Sequence, residues 1–187
     1  MGKTMYRLNQ FTSLVKRKRK EEGQGLEPRA FISRIDGSIV WANNVMLVVD
    51  DPTLRGFQTG GIKEDDVCGF YLLGGLRFRD PDAEKKQRIQ GEMQRVLGVP
   101  WQEAPVAKVS RVLEHSVCLG QEEVRVNKNY LDYVAGGIDY GAMNLRVCQY
   151  PGMIDPREGT GGTGNLIVVS NPEGRLKGMV AGLGELK

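Results

Sequence analysis

The chain has 187 residues, of which 40% are apolar and 26% charged, a composition typical of a soluble globular protein. No run approaches the roughly 20 apolar residues of a membrane span. The N-terminus lacks the apolar core of a signal peptide, so we expect a cytoplasmic protein without membrane contact. Three cysteines without CxxC spacing, Cys68, Cys118 and Cys148, favour reduced, buried thiols over disulfides or a zinc site.

The net charge of +3 is unevenly distributed. Residues 1–34 carry nine Lys or Arg against three Glu, whereas the rest of the chain carries 17 against 20. Apolar residues at steps of three and four predict an amphipathic helix over residues 4–20. This helix ends in a basic collar of five consecutive cations: Lys16, Arg17, Lys18, Arg19 and Lys20. The collar either complements the helix macrodipole in water or contacts nucleic-acid phosphates.

Three strands are predicted next, near residues 30–35, 38–43 and 45–50. Asp36-Gly37 lies between apolar runs and predicts a type I′ hairpin turn, which needs positive φ at both central residues. Asn43-Asn44 predicts the second tight turn.

The following elements are predicted to be a loop, a strand and a helix. The loop covers residues 52–67 and contains three consecutive acids, Glu64, Asp65 and Asp66. The apolar run "CGFYLLGGLRF" over residues 68–78 predicts one strand with a bulge at its two glycines. Asp80 as cap and Pro81 as first residue predict a helix over 81–97, whose mixed charges indicate a solvated face.

Strands and one short helix are predicted for the remaining chain. The strands are expected near residues 106–113, 116–126, 143–149, 165–170 and 176–183. In "VRVNKNYLDYVAGG" a strand runs directly into a helix over 128–135, capped by Asn127 and ended by Gly136-Gly137. The "GTGGTG" run lacks the GK[ST] ending of a P-loop, so we expect a flexible hairpin loop over 157–164.

This order of elements predicts an α+β fold, an antiparallel sheet with helices on one face. Two half-units are expected, each a helix followed by three strands. After a basic N-terminal helix and linker over residues 1–28, we expect a single domain over residues 29–187 that contains the inserted helix near 81–97.

The sequence contains no convincing catalytic set. His115 is the single histidine, so a Cys–His or Ser–His pair would have to use it. It follows Glu114 in a strand-like segment, where neighbouring side chains point to opposite faces, and Cys118 would face away from it. A structural histidine is therefore favoured over hydrolase or transferase chemistry. No cofactor or metal is predicted, and a binding protein is favoured over an enzyme.

Four segments resemble bacterial DNA sliding clamps, the polymerase III beta subunit family. "VRVNKNYLDYVAGG" is similar to the clamp strand that runs into an Asn-capped helix, and "MNLRVCQYPGMI" to the strand that follows. "LIVVSNPEGRLKGMVAGL" resembles the closing hairpin. "FISRIDGSIVWANNVMLVV" resembles more weakly a hairpin near the start of a clamp domain. The stronger matches cover residues 122–183.

The resemblance implies a non-enzymatic protein whose helices face the DNA backbone. A clamp subunit carries three such domains and this chain has room for about one, so a ring would need a higher homo-oligomer. The helix near 81–97 is not expected in a clamp domain. Met179-Val180-Ala181 lacks the proline that the family has in its closing hairpin.

Two functions follow from these observations. The first is a DNA-associated protein that contacts the phosphates of duplex DNA through the basic collar and Lys128. The second is a small phage-type inhibitor or adaptor that binds a nucleic-acid-processing protein, with charge complementarity setting partner choice. Its expected partner-binding residues are Glu64, Asp65, Asp66 and Met179.

Overall fold

A computed structural model describes seven ranges of the chain: residues 29–43, 45–50, 68–72, 76–79, 82–136, 139–154 and 161–183. Within these ranges two α-helices and eleven strands form an α+β fold, as the sequence predicts. Every strand pair is antiparallel. Of the helices described, none has the length and apolar character needed to cross a membrane.

The chain divides into two compact units, Met1–Arg95 and Val96–Lys187. The boundary falls in the last turn of a helix, α1, which spans Ala83–Leu97. From the sequence we predict one domain over residues 29–187, without a boundary inside α1. Domain boundaries usually lie in exposed linkers, and a boundary inside a helix leaves no such mark in the sequence.

The first unit contains one five-stranded sheet in the order β5-β4-β1-β2-β3. Its strands are β1 Arg29–Ile35, β2 Ser38–Ala42, β3 Met46–Asp50, β4 Gly69–Leu72 and β5 Leu76–Arg79. Ile32, Trp41 and Val48 are fully buried on neighbouring strands and form the centre of its core. The predicted strands β1, β2 and β3 are confirmed within one or two residues.

Both predicted turns join these strands. Asp36 has φ 49° and Gly37 has φ 80°, the positive values that a type I′ hairpin turn requires. At the second turn the side-chain oxygen of Asn43 accepts hydrogen bonds from the N–H groups of Val45 (3.0 Å) and Met46 (2.9 Å). Asn44 lies outside the described residues.

The prediction of a single strand over residues 68–78 is wrong. This segment forms two antiparallel strands, β4 and β5, with a register shift between Phe70 and Tyr71. The apolar run continues through both strands, so hydrophobicity alone does not reveal where the chain reverses. Residues 73–75, where the predicted glycine bulge falls, are outside the described part.

Helix α1 begins two residues later than predicted, at Ala83. Its cap is Asp82, whose Oδ1 accepts the N–H of Lys85 at 2.8 Å. The predicted cap, Asp80, lies outside the described residues. In the middle of α1, Gln90 Nε2 donates to Oγ of the buried Ser33 at 2.7 Å, which holds the helix on β1.

The second unit contains two sheets and one helix. The first sheet has the order β6-β7-β8 and the second the order β11-β10-β9. Its elements are β6 Val109–Val112, β7 Ser116–Leu119, β8 Val124–Asn127, α2 Lys128–Ala135, β9 Asn144–Ile154, β10 Gly161–Ser170 and β11 Leu176–Ala181. Helix α2 followed by β9, β10 and β11 is the predicted half-unit. The helix of the other half-unit, over residues 4–20, lies outside the described ranges.

Two predictions for this unit need correction. The strand expected over 116–126 is two strands, β7 and β8, because the chain reverses between Gly120 (φ 70°) and Glu123 (φ 50°). The glycine-rich loop expected over 157–164 is partly strand, because residues 161–164 pair with β9. Residues 155–160 are not described.

The two sheets of this unit meet at Gly182. Its N–H donates to the carbonyl of Asn165 at 2.7 Å, and the N–H of Leu183 donates to the carbonyl of Arg125 at 2.8 Å. Gly182 also forms a bridge to Val126 on β8. A Cβ atom on Gly182 would lie 3.0 Å from both the Cβ and the carbonyl oxygen of Asn165. The junction therefore leaves little room for a side chain.

We expect the same substitution to have opposite effects in the two units. Gly182→Ala should lower the free energy of unfolding by about 1–3 kcal/mol, because the added methyl group overpacks the junction. Gly91→Ala is the control, since its Cβ would meet nothing within 4 Å in α1. It should raise the free energy by about 1 kcal/mol. Urea unfolding measures both, and equal effects of the two variants would contradict the role of Gly182.

Candidate binding surface

Eight of the ten predicted binding residues lie outside the part of the chain that the structure describes. The basic collar, Lys16, Arg17, Lys18, Arg19 and Lys20, lies outside the described residues, and so does the acidic run Glu64, Asp65 and Asp66. The two predicted binding residues that the structure describes are Lys128 and Met179, both in the second unit.

Met179 is a core residue. Its side chain is 0% exposed and belongs to a cluster with Trp101, Cys148, Leu166 and Val168. The inward face of β11 places it there, since side chains along a strand alternate between faces. Its predicted role in partner binding does not fit this position, because no surface of the side chain is accessible.

Lys128 is the first residue of α2, where the cap residue Asn127 precedes it and an ion pair links it to the next turn. Asn127 accepts the N–H of Asn129 at 3.0 Å, as a cap does. Lys128 Nζ pairs with Oδ2 of Asp132 one turn later. The hydroxyl of Tyr140 donates to the other oxygen of that carboxylate. The ammonium of Lys128 is therefore already matched by a carboxylate, which weakens it as a phosphate contact.

His115 is not the strand residue that the sequence predicts. It lies in the turn between β6 and β7, and its side chain is 55% exposed. Its Nε2 lies 3.6 Å from Oε1 of Glu114, which is itself largely exposed. Cys118, the nearest thiol in sequence, is fully buried. In the described part of the chain, no group of three or more His, Cys, Asp or Glu side chains could hold a metal ion.

The β6-β7-β8 sheet brings together two arginines that belong to no motif in the sequence. Arg111 on β6 and Arg125 on β8 both lie directly opposite Cys118 on the central strand. Directly opposite residues in antiparallel strands project from the same face. Ser116 and Asn127, which are also paired, lie on that face with them. We call these five residues the arginine face.

The two arginines have different partners. Arg111 Nη2 lies 2.8 Å from Oε2 of Glu123, and both side chains are about half exposed (55% and 47%). Arg125 Nη2 makes a long contact of 3.4 Å to Oγ of Ser116. Its Nε is buried without an acceptor, and no carboxylate pairs with it among the described residues. Arg125 therefore carries a charge that its described neighbours leave unneutralised.

A third arginine, Arg146 on β9, has a structural role. Its Nη1 donates to the carbonyl of Ala104, at the end of a short 3₁₀ helix. The N–H of Ala107 donates to the carbonyl of Leu145 at 2.7 Å, so this segment is held along β9. Burial raises the pKa of the Cys148 thiol, and the nearby charge of Arg146 partly offsets that effect.

The arginine face could be found in the sequence only through the strand register. Side chains alternate between the two faces of a strand, so Ser116 and Cys118 of "SVCL" share one face, and Arg125 and Asn127 of "VRVN" share one face. Their pairing follows once Gly120 is recognised as the turn between two strands. The prediction of one continuous strand over 116–126 hides this pairing.

Comparison with known proteins adds no relative. The chain matches no protein-family model, no curated protein and no solved structure.

We expect Tyr140 to make the stability of the fold sensitive to alkaline pH. Burial, the hydrogen bond to Asp132 and the charge of that carboxylate all raise the pKa of the Tyr140 hydroxyl above its ordinary value of 10.0. The unfolded chain therefore releases this proton first. The stabilisation is complete below pH 10 and is lost as the pH rises towards the pKa of the folded state.

Urea unfolding at about pH 8 and about pH 11 measures this loss. Tyr140→Phe should lose less stability between the two than the parent protein does. For one group the difference stays below about 1.4 kcal/mol per pH unit. Parallel losses in the two proteins would rule out a raised pKa at this position.

Proposed function

We propose that the chain is a non-enzymatic binding protein that associates with nucleic acid through phosphate contacts, with duplex DNA as the expected partner. The observation that carries this proposal is the concentration of nine Lys or Arg against three Glu in residues 1–34, with five of the cations consecutive in the basic collar. Phosphate contacts by such a segment are independent of base sequence and sensitive to salt.

The second unit lacks the excess of positive charge that residues 1–34 carry, which supports phosphate binding by residues 1–34. Its described residues carry seven Lys or Arg and seven Asp or Glu. Because these charges balance, the second unit adds little long-range attraction to a polyanion, and that attraction comes mainly from residues 1–34. The resemblance to sliding clamps points to the same partner, and it stays a prediction because no comparison supplies a relative.

A protein partner is the second candidate, and the exposed edge of β6 favours it. This strand lies at the edge of the described three-stranded sheet. Val112 and Leu113 at its end are 53% and 37% exposed. Exposed edge strands can pair with a strand of another chain. This arrangement suits an inhibitor or adaptor that binds a nucleic-acid-processing protein, or a homo-oligomer.

Fluorescence anisotropy with duplex DNA across a salt series tests the first candidate. We expect log Kd to rise linearly with log salt concentration for the parent protein. Changing all five collar residues to Ala should remove several units of that slope, up to about 4.5 if each residue contacts one phosphate. The expected result is therefore a weaker and less salt-dependent complex.

The control variant changes Lys85, Lys86 and Arg88 to Ala in α1, where acidic side chains are interspersed. It removes positive charge without touching the collar and should keep most of the slope. No binding by the parent protein at low salt would contradict the proposal. A protein complex that persists at salt concentrations that release DNA would instead support the second candidate.

A further inference from the structure

We propose that the arginine face of the β6-β7-β8 sheet is a phosphate-binding surface, with Arg125 as its central ligand and Arg111 as its second cation. This inference rests on the proposed association with nucleic acid and adds a folded contact to that of the basic collar. The chemistry recognised is a phosphate monoester or diester, either in a nucleic-acid backbone or as a free anion.

The strand register supplies the geometry. Arg111 and Arg125 stand one strand to either side of Cys118. Neighbouring strands are spaced by about 4.8 Å, so the two backbone positions are roughly 10 Å apart. Arginine side chains are long enough to close much of this distance. Both guanidinium groups can therefore approach one phosphate or two consecutive phosphates of a strand.

Arg125 has the unmet bonding capacity that such a site needs. Its guanidinium has five donors, and among the described residues it makes one hydrogen bond, the 3.4 Å contact to Ser116. A partly buried cation without a counter-ion is costly. A phosphate would supply the missing charge and accept hydrogen bonds from the two Nη groups, because the buried Nε is not accessible to it. Ser116 is buried and holds the Arg125 guanidinium, and the partly exposed Asn127 lies beside it on the same face.

Arg111 can exchange its present partner for a phosphate. Both side chains of its ion pair with Glu123 are about half exposed, and exposed ion pairs contribute little to stability. The Cys118 side chain between the two arginines is fully buried, so this part of the face has an apolar floor. Charge interactions beside a low-dielectric floor are stronger than in open water.

A partly buried guanidinium does not by itself make a phosphate-binding site, and Arg146 is an example. Like Arg125 it has an Nε without an acceptor among the described residues, but it donates to the carbonyl of Ala104 and lies beside the buried Cys148. It has no second arginine opposite it on the neighbouring strand, where its partner is Val168. The combination of two cations flanking one buried residue is found at the arginine face.

The test compares Arg125→Gln with Arg175→Gln, which removes the same charge from the exposed turn before β11. Duplex DNA binding is measured across a salt series, with the collar intact in both variants. We expect Arg125→Gln to reduce the salt slope by about one unit, and Arg175→Gln to leave it unchanged. Arg125→Lys should retain the slope but bind more weakly, because it keeps the charge and loses the fork.

A second measurement uses the unaltered protein. Inorganic phosphate is titrated while the side-chain Nε–Hε signals of the arginines are followed by NMR. The Arg125 signal should move in a saturable way, and the Arg175 signal should not. This readout does not depend on the folding of any variant.

The outcomes separate this inference from the proposed function. If DNA binding depends on the collar, but Arg125→Gln has the slope of the parent protein and phosphate leaves the Arg125 signal unmoved, the inference is wrong and the proposed function stands. If the protein does not bind DNA but phosphate shifts Arg125, the proposed function is wrong and the face binds a free phosphate. If neither ligand binds, both are wrong.

Discussion

The close approach of backbone segments at Gly182 is the contact on which the second unit depends. Two hydrogen bonds of 2.7 and 2.8 Å and a bridge to Val126 join the end of the β11 segment to both β8 and β10. A side chain at this position would meet the Asn165 backbone at 3.0 Å. Because β8 is paired on one side with β7 and on the other with this segment, its residues have a defined register and direction.

That register explains the abrupt change from strand to helix in "VRVNKNYLDYVAGG". Asn127 is at once the last residue of β8 and the cap of α2. The helix therefore starts where the strand is already held, and it packs against β11 and beside β7 and β8. Gly136 ends it in a left-handed conformation with φ 71°. The same strand presents Val126 to the core and Arg125 to the opposite face.

Local signals made much of the fold predictable. Asp36-Gly37 and Asn127 act through the backbone conformation of one or two residues, and both predictions are confirmed. Glu123 takes a positive φ that a residue other than Gly seldom adopts, so the sequence does not indicate the turn between β7 and β8. The role proposed for Arg125 depends on its pairing with Cys118, a contact between strands that residue patterns do not reveal. Local signals therefore predict the helices and several strands, whereas the arginine face depends on contacts between strands.

We propose that two separate elements, the basic collar and the arginine face, bind phosphates of the same nucleic acid. The most direct test is a double-mutant cycle on the salt slope of DNA binding, with the collar changed to Ala, Arg125 changed to Gln, and both changed together. Contacts made independently should reduce the slope additively. We expect the double variant to lose the sum of the two single losses of slope. A double variant with the slope of the collar variant alone would contradict it.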